Sequence, residues 1–418
     1  MLNKLKPKSE FSRNVLTLMT GTTIAQAIPI AFTPILTRMY SPDDFGVFAL
    51  FIAITSIFGS IANGRYELAI MLPRKDEDAI NILALGFIIN ITLSLILLLI
   101  VIVFHNKILN LLNNKEISPW LYLVPISVFL IGCFNLLNYF NNRKKYYKDL
   151  AKAKVYKSLG MAIVQLILGF LKVGSSGLIS GQIFSQVISN IKLFFNIKKL
   201  NFFKKIRKIK IIGVAKKYKK LPLYNLPNAF IDGIRLTMIN VLIGKFFSLS
   251  MLGQFSLALR MVQTPSSLIG GAISQVFFQK ISVSEEKKIR TIVKKFILRA
   301  SLISLPLFII IFFFGEKIFI LVFGENWKIA GEIAQILTPW LFLNFLTAPL
   351  STLFIKFNKQ DVLLIFAFFY ALVPIVIFYL LQTQDFLKIL RVFSWSMFFM
   401  LGLFIGLTFY IIREKENS

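Results

Sequence analysis

Three ionisable residues lie deep inside long apolar stretches of this sequence, Asp232, Arg235 and Arg260, whereas Lys192 lies near the inner end of its own. Asp232 and Arg235 are three residues apart and share a helical face, so they either neutralise each other or meet a ligand together. Arg260 has no acidic residue in its own apolar run. A cation at membrane depth costs at least about 2.5–3.5 kcal/mol on insertion scales, so a lipid-facing position is disfavoured. Its planar fork can bond two oxygens at once, which suits phosphate. Around it Gly253, Ser256, Gln263, Ser267, Gly270 and Ser274 recur at steps of three and four, forming one small and polar stripe. This pattern points to recognition of an anion by Arg260, Arg235 and Gln263, and to no catalytic group.

The elements that must position these residues are twelve apolar runs, at 14–37, 45–64, 79–104, 119–140, 155–171, 175–196, 222–244, 251–279, 292–314, 331–355, 362–381 and 392–412. Each reaches or nears the ~20 residues that a helix needs to cross hydrocarbon. Backbone amides in lipid must bond within their own segment, so the runs are expected to be helices. With the N-terminus inside, 35 Lys and Arg flank the cytoplasmic side and 9 the outer side. That bias predicts a multi-pass protein with both termini in the cytoplasm. Arg260 is eight residues past Leu252, ~12 Å from the outer face, while Asp232 and Arg235 are ~14–18 Å past Leu223 from the inner face. All three are thus expected near the bilayer centre. Lys4, Lys6 and Lys8 with Ala25-Gln26-Ala27 resemble a signal peptide, but the uncharged stretch runs on to Thr37 and reads as a retained anchor.

Shifting the chain by 207 residues lays the second run on the eighth: Gly46 meets Gly253, Phe48 meets Phe255, Ser60 meets Ser267 and Gly64 meets Gly271. Six runs separate the copies, so both halves point the same way. Parallel repeats of this kind are related by an axis along the membrane normal, with the substrate site between them. The expected fold is all-α and integral to the membrane. Twelve transmembrane helices form two six-helix lobes, 1–196 and 222–418, related by a parallel pseudo-two-fold. Residues 197–221 carry eleven Lys and Arg among isoleucines and phenylalanines, and read as a basic amphipathic linker on the inner leaflet. On the second run the stripe offsets select Gly46, Ala49, Ala53, Ser56, Ser60, Asn63 and Glu67. That face serves either tight packing or a cavity. Arg65 is expected at the inner hydrocarbon boundary, where snorkelling explains it as well as ligand binding does.

A formal net charge of +29 would suggest nucleic acid, but the charge sits in loops beside apolar runs, where anionic lipid and topology account for it. The single cysteine, Cys133, allows no internal disulfide, and the single histidine, His105, has no ligand-type neighbours. No metal site and no cofactor are expected. No G-x-x-x-x-G-K-[ST] motif occurs, so no P-loop is present to hydrolyse ATP. Asp43-Asp44 could suggest the metal ligands of a glycosyltransferase, but a short turn beginning at Pro42 explains them better.

Several stretches carry a resemblance: T-R-M-Y-S-P-D-D-F-G-V-F-A-L at 37–50, G-R-Y-E-L-A-I-M-L-P at 64–73, L-A-L-R-M-V-Q-T-P at 257–265 and F-G-E-N-W-K-I-A at 323–330. With twelve runs in two halves, they resemble Wzx-type polysaccharide flippases, of the superfamily that includes MATE drug exporters and lipid II flippases. The resemblance implies a MATE-like fold and no enzyme activity. It implies export of an undecaprenyl-diphosphate-linked O-antigen or capsule repeat unit across the bacterial inner membrane by alternating access. It also implies membrane lipids, a polysaccharide polymerase and a chain-length regulator as partners. Residue by residue, the arginine of L-A-L-R-M is Arg260, and G-R-Y-E supplies Arg65 and Glu67. Coupling to H+ or Na+ would fall to Asp232 or Glu67. A drug or cation antiporter of the same fold is the alternative, followed by a membrane polymerase or glycosyltransferase.

Overall fold

Each of the twelve apolar runs falls on helical structure in the computed structural model. The structure describes residues 10–198, 205–357 and 359–416, with side chains except at 10–15, 198, 235–236, 265–273, 275–276, 278–279, 282–283 and 355. Among the described residues no strand occurs. Among the described residues nine helices are long and apolar enough to cross a membrane, and a tenth span results if the pair Leu221–Ile234 and Thr237–Phe246, bent by 42°, is taken together. The chain is therefore an all-helical, multi-pass membrane protein.

By its internal contacts the chain divides into two compact units, Met1–Leu252 and Gly253–Ser418. The first contains α1 (Glu10–Met39), α2 (Pro42–Gly59), α3 (Asp76–Leu112), α4 (Ser118–Leu121), α5 (Val124–Arg143), α6 (Tyr147–Phe170), α7 (Ser175–Lys198), α8 (Lys208–Lys217) and α9 (Leu226–Phe246). The second contains most of α10 (Leu249–Val283), then α11 (Glu286–Phe323), α12 (Lys328–Thr347), α13 (Ser351–Lys356), α14 (Gln360–Leu380) and α15 (Phe386–Glu416). The seventh apolar run, on α9, packs against α2 and is grouped with the first unit.

Local sequence explains where α2 begins. Ser41 Oγ accepts from the Asp44 amide at 3.2 Å, while the Asp44 carboxylate accepts from the Ser41 amide at 2.9 Å. This reciprocal cap, followed by Pro42 at the first helical position, starts the helix sharply. Asp44 is thus committed to a cap. The far end departs from the expectation of one helix over 45–64. α2 stops at Gly59, and Gly64 and Arg65 turn the chain in the left-handed region (φ 58° and 64°) before a short 3₁₀ helix, Tyr66–Met71. The Asn-Gly pair at 63–64 is a turn former that the apolar run concealed.

Ser185, Gln186, Ser189 and Asn190 interrupt the apolar run of α7, and all four are buried. Their polarity faces protein, not lipid, so an apolar average understates this helix. The expected basic linker includes α8, which docks on the start of α3. Lys210 pairs with Glu77 at 2.6 Å, and Asn81 receives the Arg207 amide at 2.9 Å. Ile209 stays exposed beside these lysines, which preserves the amphipathic character.

Candidate functional site

On α10 the apolar and polar faces separate cleanly. Phe255, Leu257, Ala258 and Val262 are buried in the second unit, whereas Ser256, Arg260, Gln263 and Thr264 remain half-buried on another face. The helix is pinned by Gln254, whose side-chain amide donates to the Asn326 carbonyl at 2.6 Å and whose oxygen accepts from the Ala330 amide at 2.9 Å. Arg260 follows six residues later, ~9 Å along the axis. Among the described residues no carboxylate comes within ion-pair distance of Arg260, and Ser256 Oγ is buried without a partner. The described part of the expected stripe is therefore present as a face. Its members Ser267 and Gly270 lie among the residues whose side chains are not described.

The corresponding stripe on α2 is divided by the end of the helix. Gly46, Ala49 and Ala53 are buried, and a methyl at Gly46 would collide with the Leu249 carbonyl. That half of the stripe serves close packing. Ser60, Asn63 and Glu67 instead belong to the turn beyond Gly59. Asn63 donates to the Gly132 carbonyl on α5 at 3.0 Å. Arg65 pairs with Glu67 at 3.2 Å and reaches the Ser60 carbonyl at 3.5 Å. Glu67 is buried, and burial pushes its carboxyl above the ordinary value while the Arg65 charge acts in the opposite sense. Arg65 Nε and Glu67 Oε2 lack partners, so the pair keeps bonding capacity for something further.

Ser60 links this turn to α9, its hydroxyl lying 3.3 Å from the Ala229 carbonyl, and Gly233 lets α9 lie against Ile57. Asp232, exposed on α9, is one residue from that contact. Arg235 lies on the same helix, and its side chain is outside the described residues. The first unit therefore gathers Arg65, Glu67 and the α9 segment carrying Asp232, while Arg260 and Gln263 share a face in the second. Two cations escaped the sequence reading. Lys154 and Lys157, which count among the 35 cytoplasmic flanking charges, lie well inside α6, which is unbroken from Tyr147 to Phe170. The signal that could have found them is their spacing of three within a helix whose preceding loop is short.

A model of the polysaccharide biosynthesis protein family matches residues 35–331. The chain belongs to that family. Its relatives include an uncharacterized membrane protein in the cps region of Klebsiella pneumoniae, 21% identical over 82% of this chain and 70% of the relative. Another is the succinoglycan biosynthesis transport protein ExoT of Rhizobium meliloti (strain 1021), 21% identical over 78% of this chain and 64% of ExoT. This family member thus spans roughly two thirds of those relatives' lengths. Among solved structures it resembles an inward-facing multidrug resistance MATE family transporter of the MOP superfamily, with a TM-score of 0.72 at 15% identity over 96% of both chains. It also resembles the lipid II flippase MurJ in an inward closed conformation, with a TM-score of 0.71 at 14% identity over 97% of this chain and 87% of MurJ. The fold of this polysaccharide biosynthesis protein is therefore that of the MOP-superfamily transporters.

Proposed function

We propose that the protein flips an undecaprenyl-diphosphate-linked oligosaccharide, an O-antigen or capsule repeat unit, from the inner to the outer leaflet of a bacterial inner membrane by alternating access. The observation that carries this reading is Arg260: a guanidinium on a polar helix face in an apolar protein, with no carboxylate beside it among the described residues. Such a charge is compensated when an anion arrives, and the fork matches phosphate oxygens. Gln263, on the same helix face as Arg260, is a further proposed sugar contact, and Arg235 on α9 is proposed separately as a diphosphate contact. Family membership and the MOP-superfamily fold support a transporter over an enzyme.

In this reading twelve helices span the membrane with both termini in the cytoplasm, and 197–221 joins lobes 1–196 and 222–418. Asp232 and Glu67 are the proposed H+ or Na+ coupling groups, and the elevated affinity of buried Glu67 for its proton supports the second. A polysaccharide polymerase would consume the exported unit and a chain-length regulator would set its extent. The test is Arg260→Ala in a strain dependent on this gene. Surface polysaccharide should disappear while the protein remains in the membrane, and a normal polysaccharide ladder would refute the role.

A further inference from the structure

Several cations of the first unit have a carboxylate partner. Lys192 meets Asp149 at 2.8 Å, Arg143 meets Asp76 at 3.3 Å, Lys210 meets Glu77 at 2.6 Å, and Arg65 meets Glu67 at 3.2 Å. Lys154 and Lys157 differ. Among the described residues neither has a carboxylate within ion-pair distance. Lys154 Nζ bonds the Thr22 hydroxyl on α1 at 3.0 Å, and Lys157 Nζ stands 4.9 Å from the centre of the Phe134 ring on α5.

Snorkelling does not account for this arrangement. A lysine near a membrane boundary extends its ammonium toward the nearest water. Lys157 is ten residues into α6, ~15 Å from its start, and Phe134 is nine residues from the end of α5, ~14 Å from that same side of the unit. The ammonium is therefore turned against a ring of a neighbouring helix and not toward the loop end of α6. The surroundings are also built closely. Ala151 on α6 packs on Gly21 of α1, and Ser158 donates to the Ala25 carbonyl at 2.6 Å, so Lys154 is held within a tight helix pair. The two lysines are one helical turn apart, where like charges repel. Both are half-buried, so their heads are withdrawn but reachable.

We propose that Lys154 and Lys157 form an anion-binding station on α6 that takes the phosphate groups of a polyisoprenyl diphosphate. The Thr22 hydroxyl, which donates to the Leu18 carbonyl and accepts from Lys154, holds that ammonium in place, and the Phe134 ring offers an apolar wall. This station is separate from Arg260, which belongs to the second unit. The ligand class rests on the reading of the protein as a carrier of phosphorylated lipid. The anion site itself rests on the two uncompensated lysines.

The experiment uses the full-length protein in nanodiscs, with farnesyl diphosphate as a soluble polyisoprenyl diphosphate, farnesol as the uncharged control and inorganic pyrophosphate as competitor. Lys154→Gln with Lys157→Gln should weaken farnesyl diphosphate binding tenfold or more and flatten its salt dependence. The paired arginine variant should retain binding. Ligand-free thermal unfolding of the glutamine variant should be unchanged or shifted upward, because two repelling charges are gone. An unchanged Kd in the glutamine variant overturns the proposal, as does loss of binding in the arginine variant when it unfolds at the wild-type temperature. Competition by pyrophosphate would show that the diphosphate alone suffices, and its absence would show that the lipid form is required; both sustain the station. Binding lost in the glutamine variant, with surface polysaccharide exported even in a strain lacking this gene, would sustain the station and overturn the export reading instead.

Discussion

Replacing Arg260 by methionine removes its charge and its forked donor while keeping most of the side chain's length. The structure fixes what this should do in two states of the protein. Without substrate the guanidinium is half-buried with no carboxylate partner among the described residues, so it contributes a cost and no contact. Removing a mid-membrane charge relieves up to about 2.5 kcal/mol, less whatever water reaches it. The ligand-free variant should thus unfold at the wild-type temperature or above. With substrate the sign reverses. A charge-assisted hydrogen bond is worth about 1.5–3 kcal/mol, so losing one lowers affinity roughly 10- to 150-fold. Arg260→Lys keeps the charge without the fork and should fall between the two. The assay pairs thermal unfolding in detergent with flipping of a lipid-diphosphate sugar in proteoliposomes. A methionine variant that unfolds earlier yet flips normally would refute the reasoning, because Arg260 would then be a structural residue.

Three further outcomes follow from single contacts. Burial raises the Glu67 pKa above its ordinary 4.5, so its contribution to stability is full below that value and is lost as pH rises through the elevated one. Glu67→Gln should flatten this part of the unfolding-temperature profile, and an unaltered slope would remove Glu67 from the account. Gly46→Ala places a methyl against the Leu249 carbonyl. Overpacking of this kind costs about 1–3 kcal/mol, read as a lower unfolding temperature, and an unshifted one would deny the close approach. Gln254→Leu leaves the buried Ala330 amide and the part-buried Asn326 carbonyl unpaired. Each orphaned group costs about 1–3 kcal/mol, whereas Gln254→Glu keeps the acceptor and should lose less.

The polar residues of α7 show how far hydropathy carries. The run at 175–196 is visible because enough isoleucine, leucine and phenylalanine surround Ser185, Gln186, Ser189 and Asn190. Hydropathy does not say that these four turn inward, since that depends on which neighbours cover them. The end of α2 went unread for a related reason. Ile61 and Ala62 are apolar enough to extend the run, while the Asn63-Gly64 turn breaks the helix. Arg65 and Glu67 then become an ion pair within one turn instead of two points on a continuous stripe.

What the sequence determined by itself was the all-helical membrane class, the positions of the apolar helices and the lack of an acid in the apolar run that carries Arg260. Each is a property of a contiguous segment: an apolar run long enough to span, with or without an acid inside it, carries its consequence wherever it packs. Only the tertiary structure decided that the α2 stripe splits, that Glu67 is buried against Arg65, and that Lys154 and Lys157 turn to Thr22 and Phe134 with no carboxylate in ion-pair distance among the described residues. Those outcomes depend on helices distant in the chain, α1 and α5 meeting α6 and α9 meeting α2. The face that one helix offers another is set by packing across the unit, which no local window of residues encodes.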